Sequence, residues 1–233
     1  MIPRPLAKYV TDLVTFPGDA ALAYRNEGLR GVWGAITPRT IYRVVRVSRL
    51  TIFAQPLDPI PEVRMPAGVT IARLRLEQIP GLAPIAGERD RERFRRLREF
   101  GCVGLVAWRG ARPVGYAWVA TEMCPEVSHC PLELPADAAY LWDLYVIPAE
   151  RRSGVGSALA SERLRTARDL GRREGWRMIT PDNTASLRTL HRSGASTRVV
   201  GEIRYLKLGS RLFARFTPGA VTAAERKLRQ AGR

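Results

Sequence analysis

The sequence predicts an α/β fold in which a mixed, mostly antiparallel central sheet is flanked by helices on both faces. Apolar runs rich in β-branched residues alternate with helical stretches from residue 67 onward. Two of these runs are joined by a short turn in GLVAWRGARPVGYAWVA, residues 104–120, which is typical of a hairpin. A third run, residues 139–147, leads through paired arginines into a helix that begins with glycines.

Residues 1–66 are predicted to form an N-terminal extension of helices and one strand. Apolar residues recur at helical spacing from Leu6 to Val14, and Asp19 can cap a second helix, which later glycines weaken. In residues 40–54, β-branching favours a strand, although the arginines recur almost helically. A basic amphipathic helix on an anionic surface therefore stays an alternative. Four prolines in residues 56–66 indicate a linker.

Residues 67–216 are predicted to form the main domain, and residues 217–233 a basic, helical tail. Within the domain the predicted strands cover residues 69–74, 102–108, 114–121, 139–147, 176–180, 197–201 and 204–216. The predicted helical segments are 79–100, 154–173 and 186–192. Charges of both signs alternate in residues 88–99, which indicates a solvated helix face. Residues 122–137 form a long loop.

Composition limits the classes of protein that the chain can belong to. With 233 residues and 45% hydrophobic residues, it is large enough for a sizeable core and is not disordered. No run approaches the roughly 20 apolar residues that span a bilayer, and the start resembles no secretory signal. Three cysteines fit a reducing compartment, so a cytoplasmic location is expected. Cys124, His129 and Cys130 lack a fourth ligand and the usual spacing, so no metal site is predicted.

The net charge of +16 raises the question of an anionic partner. Only three of the 38 basic residues are lysines, and the basic excess is spread along the chain without a concentrated arm. Long-range attraction to nucleic acid or to an acidic carrier protein stays open on this charge, but is not favoured.

The sequence YLWDLYVIPAERRSGVGSAL, residues 140–159, predicts a pyrophosphate site. Gly154 and Gly156 allow the backbone to approach a ligand closely. The free N–H groups of the following helix's first turn favour an anion, and Arg151 and Arg152 add positive charge. A phosphorylated cofactor is therefore expected.

These residues resemble the cofactor motif of the GNAT superfamily of N-acyltransferases, in which Gln or Arg is followed by two residues, Gly, one residue, and Gly or Ala. Arg151, Gly154 and Gly156 match this motif. The hairpin at 104–120 resembles the second and third strands of the family. NTASLRTLHRSGA, residues 183–195, is similar to its last conserved helix. The resemblance covers about residues 67–216.

The resemblance implies an acyl-CoA-dependent N-acyltransferase that uses acetyl-CoA or another acyl-CoA and acylates a primary amine of a small molecule or amino sugar. The main chain of Leu144, Tyr145 and Val146 would pair with the pantetheine arm and offer an N–H to the acyl oxygen. The residues implied at the pyrophosphate are Arg151, Arg152, Ser153, Gly154, Val155, Gly156 and Ser157. Asn183 and Ser186 are implied as further cofactor contacts.

Catalytic proton transfer is less well defined. Asp143 is the candidate general base, and strand alternation places it on the face opposite Trp142 and Leu144. A polar partner for a neighbouring arginine is its alternative role, and Glu122 or Glu133 could relay the proton through water. In many members of the family that the chain resembles, a tyrosine that acts as general acid stands where this chain has Leu190. The candidate acids are Tyr145, Tyr205 and His191.

Two other function classes stay open. The donor or acceptor could be carried by a macromolecule, an acyl carrier protein or tRNA, or the chain could be a non-catalytic module that binds CoA. Residues 1–66 could cover the substrate entrance, form a homodimer face, contact a membrane or simply extend the core. The loops at 79–91 and 122–137 are expected to select the acceptor.

Overall fold

The computed structural model describes residues 45–123, 133–192, 196–208 and 211–219, together with 17–18, 20–25, 27–29 and 32. The strands are β1 (Val45–Pro56), β2 (Val69–Arg73), β3 (Val103–Arg109), β4 (Arg112–Ala120), β5 (Ala138–Val146), β6 (Glu174–Ile179), β7 (Arg198–Leu208) and β8 (Arg211–Pro218). The α-helices with complete bounds are α1 (Glu88–Glu99), α2 (Val155–Asp169) and α3 (Thr184–Arg192). Short 3-10 helices occupy Leu76–Leu82 and Pro148–Glu150. The predicted helix at residues 6–14 and the tail beyond residue 219 lie outside the described residues.

The eight strands of the described residues belong to one sheet, in the order β2-β3-β4-β5-β6-β1-β7-β8. Only β5 and β6 pair in parallel, whereas the other neighbours are antiparallel. On one face, Phe94 of α1 packs against Trp118. On the other face, Leu164 of α2 packs in a cluster with Val119 and Leu141. The predicted mixed, mostly antiparallel sheet with helices on both faces is therefore confirmed.

The strand predicted in the N-terminal extension lies in the middle of the sheet. It pairs with β6 from Thr51 to Pro56 and with β7 from Val45 to Ala54. Ile52 and Phe53 are almost fully buried. The strand interpretation of this segment is confirmed over 45–54, and the amphipathic-helix alternative is wrong there. The boundary at residue 66 stays a prediction, but β1 shares one sheet with residues 67–216.

The last two strands differ from their predicted bounds. Residues 197–201 and 204–216 were expected to form separate strands, but β7 runs unbroken through Gly201 and Glu202 to Leu208. β8 then pairs back along it, with Ile203 opposite Phe216. A Cβ on Gly201 would lie 2.5 Å from the Phe216 ring, so glycine is needed here for close packing and not for a turn.

Helix α1 is more than a solvated face. Phe94 and Leu97 are fully buried, and the Phe94 ring packs against Tyr116 at 4.9 Å and Trp118 at 5.1 Å between centroids. The apolar stripe is narrow, because only two of the twelve residues are buried, and the many charged residues around it make it difficult to recognise in the sequence. Residues 88–99 thus form a helix whose other ten residues are partly or fully exposed, as predicted, but the prediction missed the buried stripe of Phe94 and Leu97.

Candidate active site

A β-bulge interrupts β5 at Asp143. Trp142 pairs with Trp118 and Tyr145 with Tyr116, so two residues of β5 oppose one residue of β4. Asp143 has a φ of 46°, in the left-handed region that aspartate tolerates better than most residues. The irregularity decides where the side chain of Asp143 points.

The bulge turns the carboxylate of Asp143 toward α1, where Arg93 Nη2 donates a hydrogen bond to Asp143 Oδ2. The Trp142 ring faces this side too, because it lies 6.1 Å from Trp118, on which Phe94 of α1 packs. The expectation that Asp143 and Trp142 lie on opposite faces was therefore wrong. Strict alternation does not hold across a bulge.

Electrostatics around this pair favour a charged arginine and a neutral tyrosine. Burial lowers the pKa of Arg93, but the charges of Asp143 and Asp90 outweigh it, and the pKa is raised. Burial, followed by the charge of Asp143, raises the pKa of Tyr116 well above its ordinary value. Tyr116 therefore stays protonated at any physiological pH.

The edge of β5 that faces β6 is open over much of its length. The two strands pair only from Ala138 to Tyr140 of β5, opposite Glu174 to Trp176 of β6. Beyond Tyr140, the described part of the chain provides no strand partner on this side, although β4 continues to pair with β5 as far as Val146. The strands thus diverge into a cleft, and its β5 edge includes residues 144–146, which were predicted to pair with pantetheine.

On its other side, β5 lies very close to the backbone of β4. A Cβ on Gly115 of β4 would lie 2.6 Å from the carbonyl oxygen of Tyr145. No other residue therefore fits opposite this part of β5 without shifting the strand. Arg151 Nε donates to the carbonyl of Val146 at 3.2 Å, which ties the following loop to the end of the strand.

The predicted phosphate loop has the backbone that an anion site requires. Arg152 and Gly154 have φ values of 69° and 93°, and α2 begins at Val155 without a side-chain N-cap. The amides of the first turn, including those of Val155, Gly156 and Ser157, therefore have no capping side chain as acceptor. Such amides, together with the helix dipole, favour a negatively charged group.

The start of the loop is fixed by Glu150. Arg109 donates to both of its carboxylate oxygens, at 2.8 and 2.7 Å, and Ser153 Oγ donates to its carbonyl at 2.7 Å. The hydrogen bond from Arg109 is the main reason that the pKa of Glu150 is lowered. Glu150 is thus charged at neutral pH and holds the loop in place.

A carboxylate from the N-terminal segment already occupies part of this positive region. Glu27 Oε1 accepts a hydrogen bond from Arg151 Nη2 at 2.6 Å, so a carboxylate lies beside the predicted phosphate loop. A Cβ on Gly154 would lie 3.3 Å from Pro66 Cγ, which shows how closely the chain passes over the loop. The arginine and the uncapped amides of α2 fit the diphosphate of a nucleotide-linked cofactor.

The three candidate acids lie in different places. Tyr145 is half-buried on β5, and burial, followed by the charge of Glu27, raises its pKa while Arg151 opposes the rise. Tyr205 is buried on β7, and β6 and β1 separate it from β5. His191 belongs to α3, but its side chain is outside the described residues. Among the three, only Tyr145 lies on the strand that borders the cleft.

Asn183 and Ser186 have a structural use at the start of α3. The amide of Ser186 donates to Asn183 Oδ1 at 3.1 Å, which is an N-cap contact. Leu190 stands where many relatives have a tyrosine. It is buried in a cluster with Phe53, Ile179 and Leu187. Leu190 therefore anchors α3 to the sheet.

Sequence reasoning missed two arginines that contact β5 from opposite faces of the sheet. Arg93 binds Asp143, and Arg163 Nη1 donates to the carbonyl of Trp142 at 3.2 Å. A signal for Arg163 existed: it follows Val155 and Leu159 at intervals of four, so it lies on the apolar stripe of α2. An arginine on such a stripe points into the protein.

The comparisons with known proteins agree with this geometry. The sequence profile of the acetyltransferase (GNAT) family matches residues 70–195, which is more than half of the chain. The chain belongs to the GNAT family. The matched region runs from β2 to the residues after α3, so β1, β7 and β8 lie outside it.

Several solved structures are similar to the chain at low identity, and two of those described next have a TM-score of at least 0.50. A Drosophila protein is 17% identical, covers 78% of this chain and 67% of its own, and has a TM-score of 0.52. A GCN5-related glucosamine N-acetyltransferase region of a fungal multi-domain β-N-acetylglucosaminidase is 12% identical and covers 76% of this chain and 22% of that one, with a TM-score of 0.50. A GNAT acetyltransferase from Brucella melitensis in complex with acetyl-CoA is 19% identical, covers 45% and 71% of the two chains, and has a TM-score of 0.33. No curated protein sequence matches the chain significantly.

Membership in the family establishes the cofactor class. GNAT proteins are acyltransferases that use acyl-CoA, so the cofactor of this chain is acetyl-CoA or another acyl-CoA. Among the described residues, no group of three or more His, Cys, Asp or Glu side chains could hold a metal ion. Cys124, His129 and Cys130 lie outside those residues. Within the same residues, no helix is long and apolar enough to cross a membrane.

Proposed function

We propose that the protein transfers an acetyl group from acetyl-CoA to a primary amine of a small molecule or an amino sugar, by direct attack of the amine in a ternary complex. One observation carries the proposal: the open edge of β5 leads directly into the uncapped N-terminus of α2. The amides of a pantetheine arm can form hydrogen bonds with an open main-chain edge, and a diphosphate is stabilised by the positive end of a helix. A cytoplasmic location is part of the proposal.

The cofactor would be held by three parts of the site. The backbone of Leu144, Tyr145 and Val146 would bind the pantetheine arm along the open edge. The amides of residues 152–157 would bind the diphosphate, with Arg151 and Arg152 supplying charge. When bound, acyl-CoA supplies an activated thioester. An amide N–H on the same edge would stabilise negative charge on the acyl oxygen.

The amine must lose a proton before it can attack, and we assign this task to Asp143. Its Oδ2 is held by Arg93, so the carboxylate is fixed in direction at the bulge. Tyr145 is the acid that we favour, because it lies on the strand that borders the cleft and its phenol is protonated at neutral pH. Tyr205 and His191 remain second choices, since neither is shown to border the cleft.

The proposal is tested by measuring release of the CoA thiol from acetyl-CoA in the presence of single amines. The panel should include an amino sugar, because the fungal region of this fold is described as a glucosamine N-acetyltransferase. Each amine is compared with the alcohol of the same skeleton, which controls for hydrolysis. Thiol release that depends on the amine, with the acetylated amine detected by mass, is the expected result. Tight binding of CoA without turnover for any amine would instead indicate a non-catalytic module.

A further inference from the structure

Two arginines are buried together on the α2 face of the sheet. Arg163 of α2 is 4% exposed and Arg177 of β6 is 5% exposed. A Cβ on Gly175 would lie 3.4 Å from Leu164 of α2, so the side chain of Arg177, two residues further along β6, points to the same face. The charge of Arg177 also lowers the pKa of Arg163, so the two guanidinium groups interact.

Neither arginine has a carboxylate partner among the described residues. Nε and Nη2 of Arg177 and Nε of Arg163 are buried without a hydrogen-bond acceptor there. Arg163 has the carbonyl of Trp142, and the acid that acts on its charge, Asp143, is already bound by Arg93. Both side-chain atoms of Gln55 that could form hydrogen bonds are buried and unsatisfied as well.

This arrangement is unfavourable for the protein alone. Burial lowers the pKa of Arg177 to about 10, and burial followed by the charge of Arg177 lowers that of Arg163 well below its ordinary value. Buried charges are normally paired, and buried amides are normally hydrogen-bonded. Among the described residues, two cations without a carboxylate partner therefore lie on the same face as an unsatisfied amide, since Gln55 is opposite Gly175 in the register of β1 and β6. An anionic group would be stabilised at this place.

The pair lies at the closed end of the cleft between β5 and β6. The last paired residues are Tyr140 and Trp176, and Arg177 is the next residue of β6. Arg163 bonds the carbonyl of Trp142, just beyond the same point on β5. At a rise of about 1.5 Å per residue, Arg163 lies about 12 Å along α2 from its first residue, Val155. The cations are thus at the opposite end of the cleft from the phosphate loop, and they do not bind the diphosphate.

We propose that Arg163 and Arg177, with Gln55 beside them, bind a carboxylate of the substrate. Guanidinium groups donate hydrogen bonds to carboxylates in a fixed fork geometry, and the amide of Gln55 can add a donor. The carboxylate could belong to the acyl group of the donor or to the acceptor amine. The inference rests on the proposed transfer of an acyl group from acyl-CoA to an amine, and it adds that either the acyl group or the amine is acidic.

Calorimetry of the whole chain separates the two sources. In the first arm, the protein is titrated with free CoA, butyryl-CoA and succinyl-CoA, because the last two have four-carbon acyl groups that differ in a terminal carboxylate. In the second arm, the protein saturated with free CoA is titrated with glycine, alanine and glutamate. Each amino acid is compared with the derivative in which its carboxylate groups are replaced by carboxamides. At least tenfold tighter binding of the carboxylate form is expected in one arm, and the arm that shows it identifies the source.

Variants then connect the preference with the arginines. Arg177→Met is expected to abolish the preference and to leave the affinity for free CoA unchanged. Arg165→Met is the matched control, since Arg165 lies on the same helix but is partly exposed and pairs with Glu162. It should retain the preference. If Arg177→Met does not fold, Arg177→Lys keeps the charge without the fork, and it should reduce the preference.

The outcomes separate this inference from the proposed function. If free CoA does not bind at all, the proposed function fails as well. If free CoA binds but neither arm of the wild-type titrations shows a preference for the carboxylate, only the present inference is overturned. A preference that survives unchanged in Arg177→Met or in Arg177→Lys would also overturn it, because another group would then hold the carboxylate.

Discussion

Arg93 and Arg163 show how the same residue type takes different roles on the two faces of one strand. Arg93 has a carboxylate partner in Asp143, and its pKa is raised. Arg163 has a backbone carbonyl and a second cation as neighbours, and its pKa is lowered. The negative charge of Asp143 acts to raise the pKa of both arginines. Removing the carboxylate of Asp143 is therefore the most informative single change at this strand.

Asp143→Asn is expected to lower kcat by about 100-fold at neutral pH, in line with the usual contribution of a general base. Asparagine tolerates a left-handed φ as well as aspartate does, so the bulge is retained and only the charge is lost. The rate should recover in part at high pH, where the free amine is already deprotonated. The measurement is the pH profile of kcat. A loss that is equal at every pH would show that Asp143 only positions β5.

At the scale of elements, α1 is attached to the sheet by one aromatic side chain. Phe94 is fully buried between Tyr116 and Trp118. We expect Phe94→Ala to lower the free energy of unfolding by about 3–5 kcal/mol, because a large cavity is left in the core. Urea unfolding measures this change. Phe100→Ala, at the end of the same helix, is the control, since Phe100 is 56% exposed. Equal losses in both variants would contradict the packing described.

The N-terminal segment contacts the phosphate loop through Glu27. Its carboxylate binds Arg151, so it competes with a phosphate for the same guanidinium. Both side chains are partly exposed, and such pairs contribute about 0.2–1 kcal/mol. Glu27→Gln should therefore tighten CoA binding by up to about fivefold in calorimetry. Glu88→Gln, at the start of α1, should not change it. Weaker binding in Glu27→Gln would show that Glu27 supports the loop instead.

At the scale of the whole molecule, local signals explain what the sequence predicted well. The hairpin of β3 and β4, the bulk of β5 and the glycine start of α2 depend on residues close together in the chain. Their patterns predicted the strands, and the match of the GNAT family to residues 70–195 confirms the family. The short apolar stripe of α1 was missed because charges dominate its composition.

What the sequence did not predict depends on contacts between distant residues. β1 lies between β6 and β7 because Thr51 pairs with both Ile179 and Glu202, more than 100 residues away. No local pattern specifies such a pairing. The bulge at Asp143 and the burial of Arg177 likewise follow from neighbouring strands and helices. These are the features that give the cleft its charge.

The central claim is that the start of α2 holds a nucleotide-linked thioester carrier, and calorimetry with CoA on Gly154 variants tests it most directly. Gly154→Asp and Gly154→Asn place the same shape at a φ of 93°, where both residues are similarly strained, and differ only in charge. We expect wild type to bind CoA, Gly154→Asn to bind more weakly, and Gly154→Asp to show no binding, with both variants unfolding at similar temperatures. Equal affinity in wild type and Gly154→Asp would contradict the account.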